Sequence, residues 1–318
     1  MHNILIEAIN SNASDIHIYP NSPIKFRIKG ELVIYLNLTN IEIESVISLL
    51  KFNANIDISL NKIPQSGKFE FFYNDKKYFL RISTLPLNEI QEGCVIRIFT
   101  DDIESVNFSL FKEDSIVIDN LKNYVNGLII FSGPTGSGKS TSMYKLAIDI
   151  AEKNKQIISI EDPIEKNING IVQMQVNEKA GINYDNALKS ILRCDPDAIM
   201  VGEIRDKNTA KYVITSAYSG HLVLTTIHAE DCNGVINRLK DLGIGTEDLK
   251  QTILCVISQR LVKKVNNEME LITEILNKKD LESLLLKNEI NYKILKEKFE
   301  IAVSNGEINV TEKEKWGY

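Results

Sequence analysis

The sequence predicts a mixed α/β protein, with a parallel-sheet phosphate-loop domain preceded by a smaller α+β domain. Three observations predict this. From Ser115 onward, apolar runs of strand length alternate with segments of helical spacing, which is the grammar of βα units and hence of a parallel sheet. At one such junction stands Gly133-Pro134-Thr135-Gly136-Ser137-Gly138-Lys139-Ser140-Thr141, which fits G-x-x-x-x-G-K-[ST]. Before residue 100, by contrast, apolar and polar residues alternate with the period of two that marks half-buried strands.

Taken in order, residues 2–10 place Ile4, Leu5, Ala8 and Ile9 on one helical face. Residues 13–20 alternate as a strand, and 24–29 and 32–36 read as a hairpin around Gly30. Residues 41–52 have helical spacing behind Glu42 and Glu44, acids suited to a helix N-terminus. Strands follow at 68–73, 77–83 and 94–99, so residues 1–99 form an α+β unit with an antiparallel sheet. The polar stretch 100–114 reads as a linker, and 115–318 as the second domain. There, strands are expected at 128–132, 156–160, 171–176, 198–202 and 221–227, and helices at 139–153, 184–193, 207–218, 231–241 and 246–264. Beyond 265 the chain is rich in Lys, Glu and Asn, with small helices expected around 281–286 and 294–299.

Composition narrows the class. The 318 residues, 43% hydrophobic and 25% charged, suffice for two globular domains. A net charge of −6 argues against a dedicated nucleic-acid binder, so no direct nucleic-acid ligand is expected. No signal peptide is recognisable, and no window reaches the ~18 apolar residues of a membrane span, which points to a cytoplasmic protein. The four cysteines form no C-x-x-C pair, so neither a disulfide frame nor a zinc site is expected.

The glycine loop carries the chemistry. An apolar strand (Leu128–Phe131) precedes it, and a helix with Met143, Leu146, Ala147 and Ile150 on one face follows. Gly133, Gly136 and Gly138 permit backbone angles and a close approach that side chains would block. Successive N–H groups and the helix N-terminus then face the phosphates of a nucleoside triphosphate. In this pattern Lys139 reaches the β- and γ-phosphates and the Ser140 hydroxyl binds Mg²⁺.

Four further stretches lie at predicted strand ends, where ligands bind in open α/β sheets. Ile157–Glu165 ends a strand in Glu161 and Asp162. In Ile199-Met-Val-Gly-Glu203, Gly202 occupies the place where phosphate-loop enzymes usually carry a metal-holding Asp, and Glu203 comes next. Hydrolysis needs a metal holder and a group to orient or deprotonate water, and Glu161 and Glu203 are the acids available. The run 219–228 places His221 at the start of a strand and His228 at its end, two candidates for sensing the γ-phosphate. Ser258-Gln-Arg-Leu-Val262 contains an arginine that fits a helix-surface charge equally well.

In this combination and order, from Ala13 to about Val265, the chain resembles the ATPases of type II secretion and type IV pilus systems. The carrying stretches are Ala13-Ser-Asp-Ile-His17, Gly133–Thr141, Ile160-Glu-Asp-Pro163, Asp195–Asp206 and Gly220-His…His228. The resemblance implies a PAS-like N-terminal domain, a RecA-like ATPase domain and a homohexameric ring. ATP turnover there would move pilin-like subunits through an inner-membrane platform protein, with membrane contact only through partners. It implies phosphate and Mg²⁺ binding by Lys139 and Ser140, Glu161 polarising water, Glu203 on the metal side, and His228 with His221 reading the γ-phosphate. The two glutamate roles are exchangeable at this level. Arg81 and Arg97 match the arginine fingers that the N-terminal domain supplies, a guanidinium fork for transition-state oxygens.

Departures from the family pattern narrow the branch. No tetracysteine insertion follows Val262, so no zinc is expected, and the C-terminal helix motif of retraction motors is not found. The zinc-free form looks most like the ATPase of the Gram-positive competence pseudopilus, which supports DNA uptake. Pilus retraction, general type II secretion and a RecA-like nucleic-acid translocase stand as the alternatives.

Overall fold

The computed structural model describes residues 1–99, 106–177, 180–286 and 292–318. The chain divides into two compact units, Met1–Asp102 and Ile103–Tyr318.

The first unit contains α1 (His2–Asn10), β1 (Ala13–Ile18), β2 (Ile24–Ile28), β3 (Glu31–Leu36), α2 (Asn40–Asn53), β4 (Ser66–Tyr73), β5 (Lys76–Pro86) and β6 (Glu92–Phe99). Its six strands form an antiparallel sheet in the order β3-β2-β1-β6-β5-β4. Asn74 and Asp75, both at positive φ, make the tight β4–β5 turn that asparagine and aspartate tolerate. Ile16, Ile18, Ile82 and Ile96 point to one face, which α1 covers with Ile4, Leu5 and Ala8 and α2 with Ile43, Ile47 and Leu50. Thr39 and Glu42 close a capping box at the start of α2. The expected antiparallel α+β unit is present.

Residues 100–105 of the expected linker lie outside the described set. The rest of that stretch is part of the second unit: Phe108 is buried, Leu110 N–H donates to Leu271 O at 2.6 Å, and α3 (Lys112–Asn120) has begun.

The second unit continues with β7 (Gly127–Ser132), α4 (Lys139–Ala151), β8 (Ile157–Glu161), β9 (Ile171–Gln175), α5 (Tyr184–Ile191), β10 (Ala198–Val201), α6 (Lys207–Tyr218), β11 (Leu222–Ile227) and α7 (Cys232–Asp241). It closes with α8 (Thr246–Thr252), β12 (Ile253–Lys263), β13 (Met269–Asn277), α9 (Lys278–Leu285), α10 (Leu295–Ser304) and α11 (Val310–Lys315). The sheet order is β13-β12-β7-β11-β10-β8-β9, parallel throughout except for β13. Helices α5 to α9 pack on one face and α3 with α4 on the other, giving three layers.

Two expectations are corrected here. The helix expected over 246–264 ends at Thr252, and Ile253–Lys263 is strand β12. Held between β7 and β13 and buried on both faces, β12 lacks the alternation that betrays a half-exposed strand. Its partner β13 adds a strand beyond 265, where the only elements expected are small helices around 281–286 and 294–299, and residues 271–276 are buried without a break.

Candidate active site

In a parallel sheet the strand C-termini share one edge, and the phosphate loop opens from that edge at the end of β7, which is buried along its whole length. Gly133, Gly136 and Gly138 have φ of +142°, +79° and +86°, angles that favour glycine. At Gly133 there is no room for a side chain: a Cβ would stand 2.5 Å from Gln259 O and 2.5 Å from Ser137 Oγ. Helix α4 starts at Lys139 behind Gly138, without a side-chain cap and without an acid in its first turn. Its leading N–H groups, with those of the loop, form a cradle suited to an anion.

The Lys139 side chain folds back over the loop, its Nζ donating to Gly133 O at 2.8 Å and Pro134 O at 2.9 Å. Burial lowers its pKa below the ordinary lysine value, and the negative charges of Glu203 and Glu165 oppose that shift. Ser137 Oγ is buried inside the loop with no hydrogen-bond partner among the described residues. Thr135 and Gly136 are exposed at the loop tip, while Ser140 and Thr141 are partly buried at the helix start. A cationic Nζ, a strip of N–H donors and a hydroxyl at the helix start suit a phosphate chain carrying a hard cation.

The two acids have different surroundings. Glu161, at the end of β8, is 3% exposed and accepts hydrogen bonds from Ser159 Oγ at 2.6 Å, Gln173 Nε2 at 3.0 Å and the Tyr144 hydroxyl. Burial, followed by the Glu161 charge, pushes the Tyr144 phenol well above its usual pKa, so Tyr144 stays a donor. Glu203, just past β10, is partly exposed and pairs with Arg205, which bridges to Asp162 Oδ2 at 3.1 Å. His228 Nε2 lies 3.6 Å from Glu203 Oε2. Burial first, then the Lys139 charge, lowers the His228 pKa below 6.5, which favours neutral imidazole near pH 7. Glu203 and His228 stand at neighbouring strand ends, since β10 and β11 pair in parallel.

His221 does not join them. It precedes β11 at the opposite edge of the sheet, where its backbone O accepts from Gly127 N–H at 3.1 Å and its Nδ1 lies 3.0 Å from Ser219 Oγ. At about 3.3 Å per residue, seven residues of extended chain separate it from His228 by roughly 20 Å. The expectation that both histidines read one phosphate is therefore corrected: opposite ends of one strand cannot meet at one edge.

In the first unit, Arg81 and Arg97 are direct cross-strand neighbours on β5 and β6. Arg97 Nε donates to Asp15 Oδ1 at 2.9 Å, and Arg81 Nε donates to Ser66 Oγ at 3.3 Å. The adjacent register positions are Lys68 on β4 and Arg27 on β2, so one row of the sheet carries four cations around Asp15. Like charges directly opposite each other cost stability, so a row of this kind is costly unless an anion offsets it.

Several residues of the site carry no recognisable sequence signal. Tyr144 reads as one more apolar helix position, and Ser159 and Gln173 as strand residues. Arg205 stands in the stretch already singled out, and its charge beside two acids is the only hint of its bridging role. Gln259 and Arg260 were visible as Ser258-Gln-Arg, but Arg260 is 4% exposed on a strand and is no helix-surface charge.

Comparison with known proteins agrees with this geometry. The model of the family described as "Type II/IV secretion system protein" matches residues 1–299. Competence protein ComGA of Bacillus subtilis (strain 168) is 40% identical over 268 residues, covering 82% of this chain and 74% of that protein. Putative type II secretion system protein E of Escherichia coli (strain K12) is 37% identical over 268 residues, again 82% of this chain but 54% of that protein. The chain thus spans about half the length of the secretion relative and about three quarters of the competence relative. Among solved structures, the Legionella pneumophila ATPase DotB superposes with a TM-score of 0.78 at 25% identity, covering 99% of this chain and 94% of that one. The second unit is accordingly a RecA-like phosphate-loop domain, and the chain belongs to the type II/IV secretion system protein family, as one of its ATPases.

Proposed function

We propose that this protein is a cytoplasmic motor ATPase that acts as a homohexameric ring and drives assembly of a competence pseudopilus in DNA uptake. The ring would work peripherally at the cytoplasmic face of the plasma membrane, against an inner-membrane platform protein. The observation that carries the reading is the convergence of Lys139, Glu203 and His228 at one edge of a parallel sheet. The 40% identity to a competence protein supports the process.

Lys139 and the N–H groups of residues 136–141 would bind the phosphates, with Ser140 and Glu203 holding Mg²⁺. The ion, when bound, neutralises phosphate charge as the bond to the leaving group lengthens. Of the two acids, Glu203 neighbours His228 and lies within electrostatic range of Lys139, so it would act at the reacting end of the phosphates, orienting the attacking water from the side on which Mg²⁺ would sit. Glu161, held by three donors, fixes the adjoining strand end and its negative charge. Neutral His228 donates toward the γ-phosphate position. Arg81 and Arg97 act as fingers supplied by the first unit, their forks stabilising transition-state oxygens.

The test is ATP turnover against protein concentration with mass measured in parallel, for the wild type and Arg81→Ala. Specific activity that rises with hexamer formation and is lost in Arg81→Ala supports the ring and the finger. Concentration-independent turnover by a monomer, indifferent to Arg81→Ala, sinks both.

A further inference from the structure

The stretch Ser258-Gln259-Arg260 has no part in the reading above, yet it contacts both the phosphate loop and the loop that follows His228. Ser258 of β12 pairs in register with Ser132 of β7, which brings Gln259 against the phosphate loop. The loop is folded around this one residue. Gln259 Nε2 donates to Ser137 O at 2.8 Å, the Gln259 carbonyl closes on Gly133, and a Cβ on Gly138 would stand 3.2 Å from Gln259 Nε2. The Nε2–Ser137 contact is buried, so the amide supports the loop from beneath, while its Oε1 is buried without a partner among the described residues.

Arg260 points to the other face of the strand, as adjacent residues must. Its Nη1 donates to the Gln259 carbonyl at 3.1 Å, and its Nη2 donates to Glu230 O at 2.7 Å and to the Tyr318 hydroxyl at 3.2 Å. Glu230 is two residues beyond His228. The guanidinium also sits 5.5 Å from the Trp316 ring and 6.0 Å from the Tyr318 ring, within cation–π range of both. Tyr318 in turn stacks on Phe299 of α10, their centroids 4.9 Å apart. One guanidinium therefore joins the strand beneath the phosphate loop, the loop that carries His228, and the segment following α11.

We propose that Gln259 and Arg260 are positioning residues of the nucleotide site, and that the Trp316–Tyr318 segment is the clamp that holds them. Nucleotide entering the loop must move Ser137 and Gly133 against Gln259, and Arg260 passes that movement to the clamp. By linkage, a ligand of the clamp whose affinity changes when nucleotide binds changes nucleotide affinity by that same factor. The inference rests on the phosphate-loop reading and adds a second place from which the site can be adjusted.

Trp316 is the only tryptophan of the chain, so its emission reports the clamp directly. The experiment titrates full-length protein with Mg-ADP and with a non-hydrolysable ATP analogue. Trp316 emission is followed while calorimetry measures binding on the same samples, for wild type, Gln259→Ala and Tyr318→Phe, with Lys139→Ala as reference. The expected result is an emission change in the wild type whose midpoint equals the calorimetric Kd. Gln259→Ala should weaken binding by up to about tenfold, roughly one neutral hydrogen bond, and lose most of the emission change. Tyr318→Phe, which keeps the ring and the fold, should weaken binding by at least twofold. Wild-type binding with flat emission, and an unchanged Kd in both variants, would overturn the proposal while leaving the nucleotide site intact. No calorimetric binding to the wild type would instead overturn the phosphate-loop reading and this inference with it.

Discussion

The clearest energetic consequence of the structure concerns Glu161, a nearly inaccessible carboxylate whose partners are all neutral donors. Tyr144→Phe removes one of three hydrogen bonds to it without changing the packed ring. A hydrogen bond to a charged group is worth about 1.5–3 kcal/mol, so a loss of ~2 kcal/mol is expected. Glu161→Ala goes further. It leaves the Tyr144 and Ser159 hydroxyls without their acceptor, while Gln173 Nε2 keeps Lys166 O at 2.8 Å. Two buried unmatched donors at about 1–3 kcal/mol each predict a loss near ~4 kcal/mol before any cavity term. For a unit of about two hundred residues each kcal/mol moves the melting point by ~2–4 °C. Tyr144→Phe should therefore melt ~4–8 °C lower and Glu161→Ala ~8–16 °C lower. The double variant should be less damaging than the sum, because donor and acceptor disappear together. Thermal melting followed by circular dichroism decides it. Melting points within a degree of wild type for both single variants would refute the view of Glu161 as a hydrogen-bonded strand anchor.

Three further outcomes follow from the same geometry. Gly133→Ala places a Cβ 2.5 Å from the Gln259 carbonyl at a positive φ, so nucleotide binding measured by calorimetry should be lost or weakened at least tenfold. His17 and His228 both take up protons less readily than an ordinary histidine, each chiefly through burial. The unfolded chain then binds more protons, so stability should fall as pH drops below 6.5, and a His17→Gln/His228→Gln variant should show a flatter acid limb in urea midpoints between pH 7.5 and 5.5. Of the four cysteines only Cys194 is exposed, and burial raises the pKa of Cys94, Cys232 and Cys255. A thiol reagent should therefore label one cysteine rapidly in native protein and all four after denaturation.

Much of this architecture is legible in the sequence because the periodicities are clean. The five strands expected from 128 to 227 all appear: β7, β8, β10 and β11 are buried on both faces and read as apolar runs between helices, while β9, at the sheet edge, is only partly buried. The same full burial misleads at β12, where Ile253–Val262 follows a helix without a turn signal and reads as its continuation. Strand β13 is concealed by the Glu and Thr residues within it. Glu274 earns its buried place by accepting from the N–H groups of Cys232 and Leu295, partners that only the fold provides. The phosphate loop was plain because its chemistry is local in sequence. His221 illustrates the limit of reading a motif as a unit: it precedes β11, whose first residue Leu222 is in register with Gly127 at the start of β7, whereas the ligand edge is formed by the strand C-termini. The supports of Glu161 and the Gln259–Arg260 pair come from separate segments, and no spacing rule brings them together.

The central claim is that Lys139 binds the phosphates and Glu203 serves the attack on them. The most direct measurement compares ATP binding by calorimetry with ATP turnover for wild type, Lys139→Ala and Glu203→Gln. The account predicts that Lys139→Ala loses binding and turnover together. Glu203→Gln should keep affinity within a few-fold while turnover falls about 10²–10⁴-fold, the usual contribution of a positioned acid or base. Turnover in Glu203→Gln close to wild type, or full ATP affinity in Lys139→Ala, would contradict it.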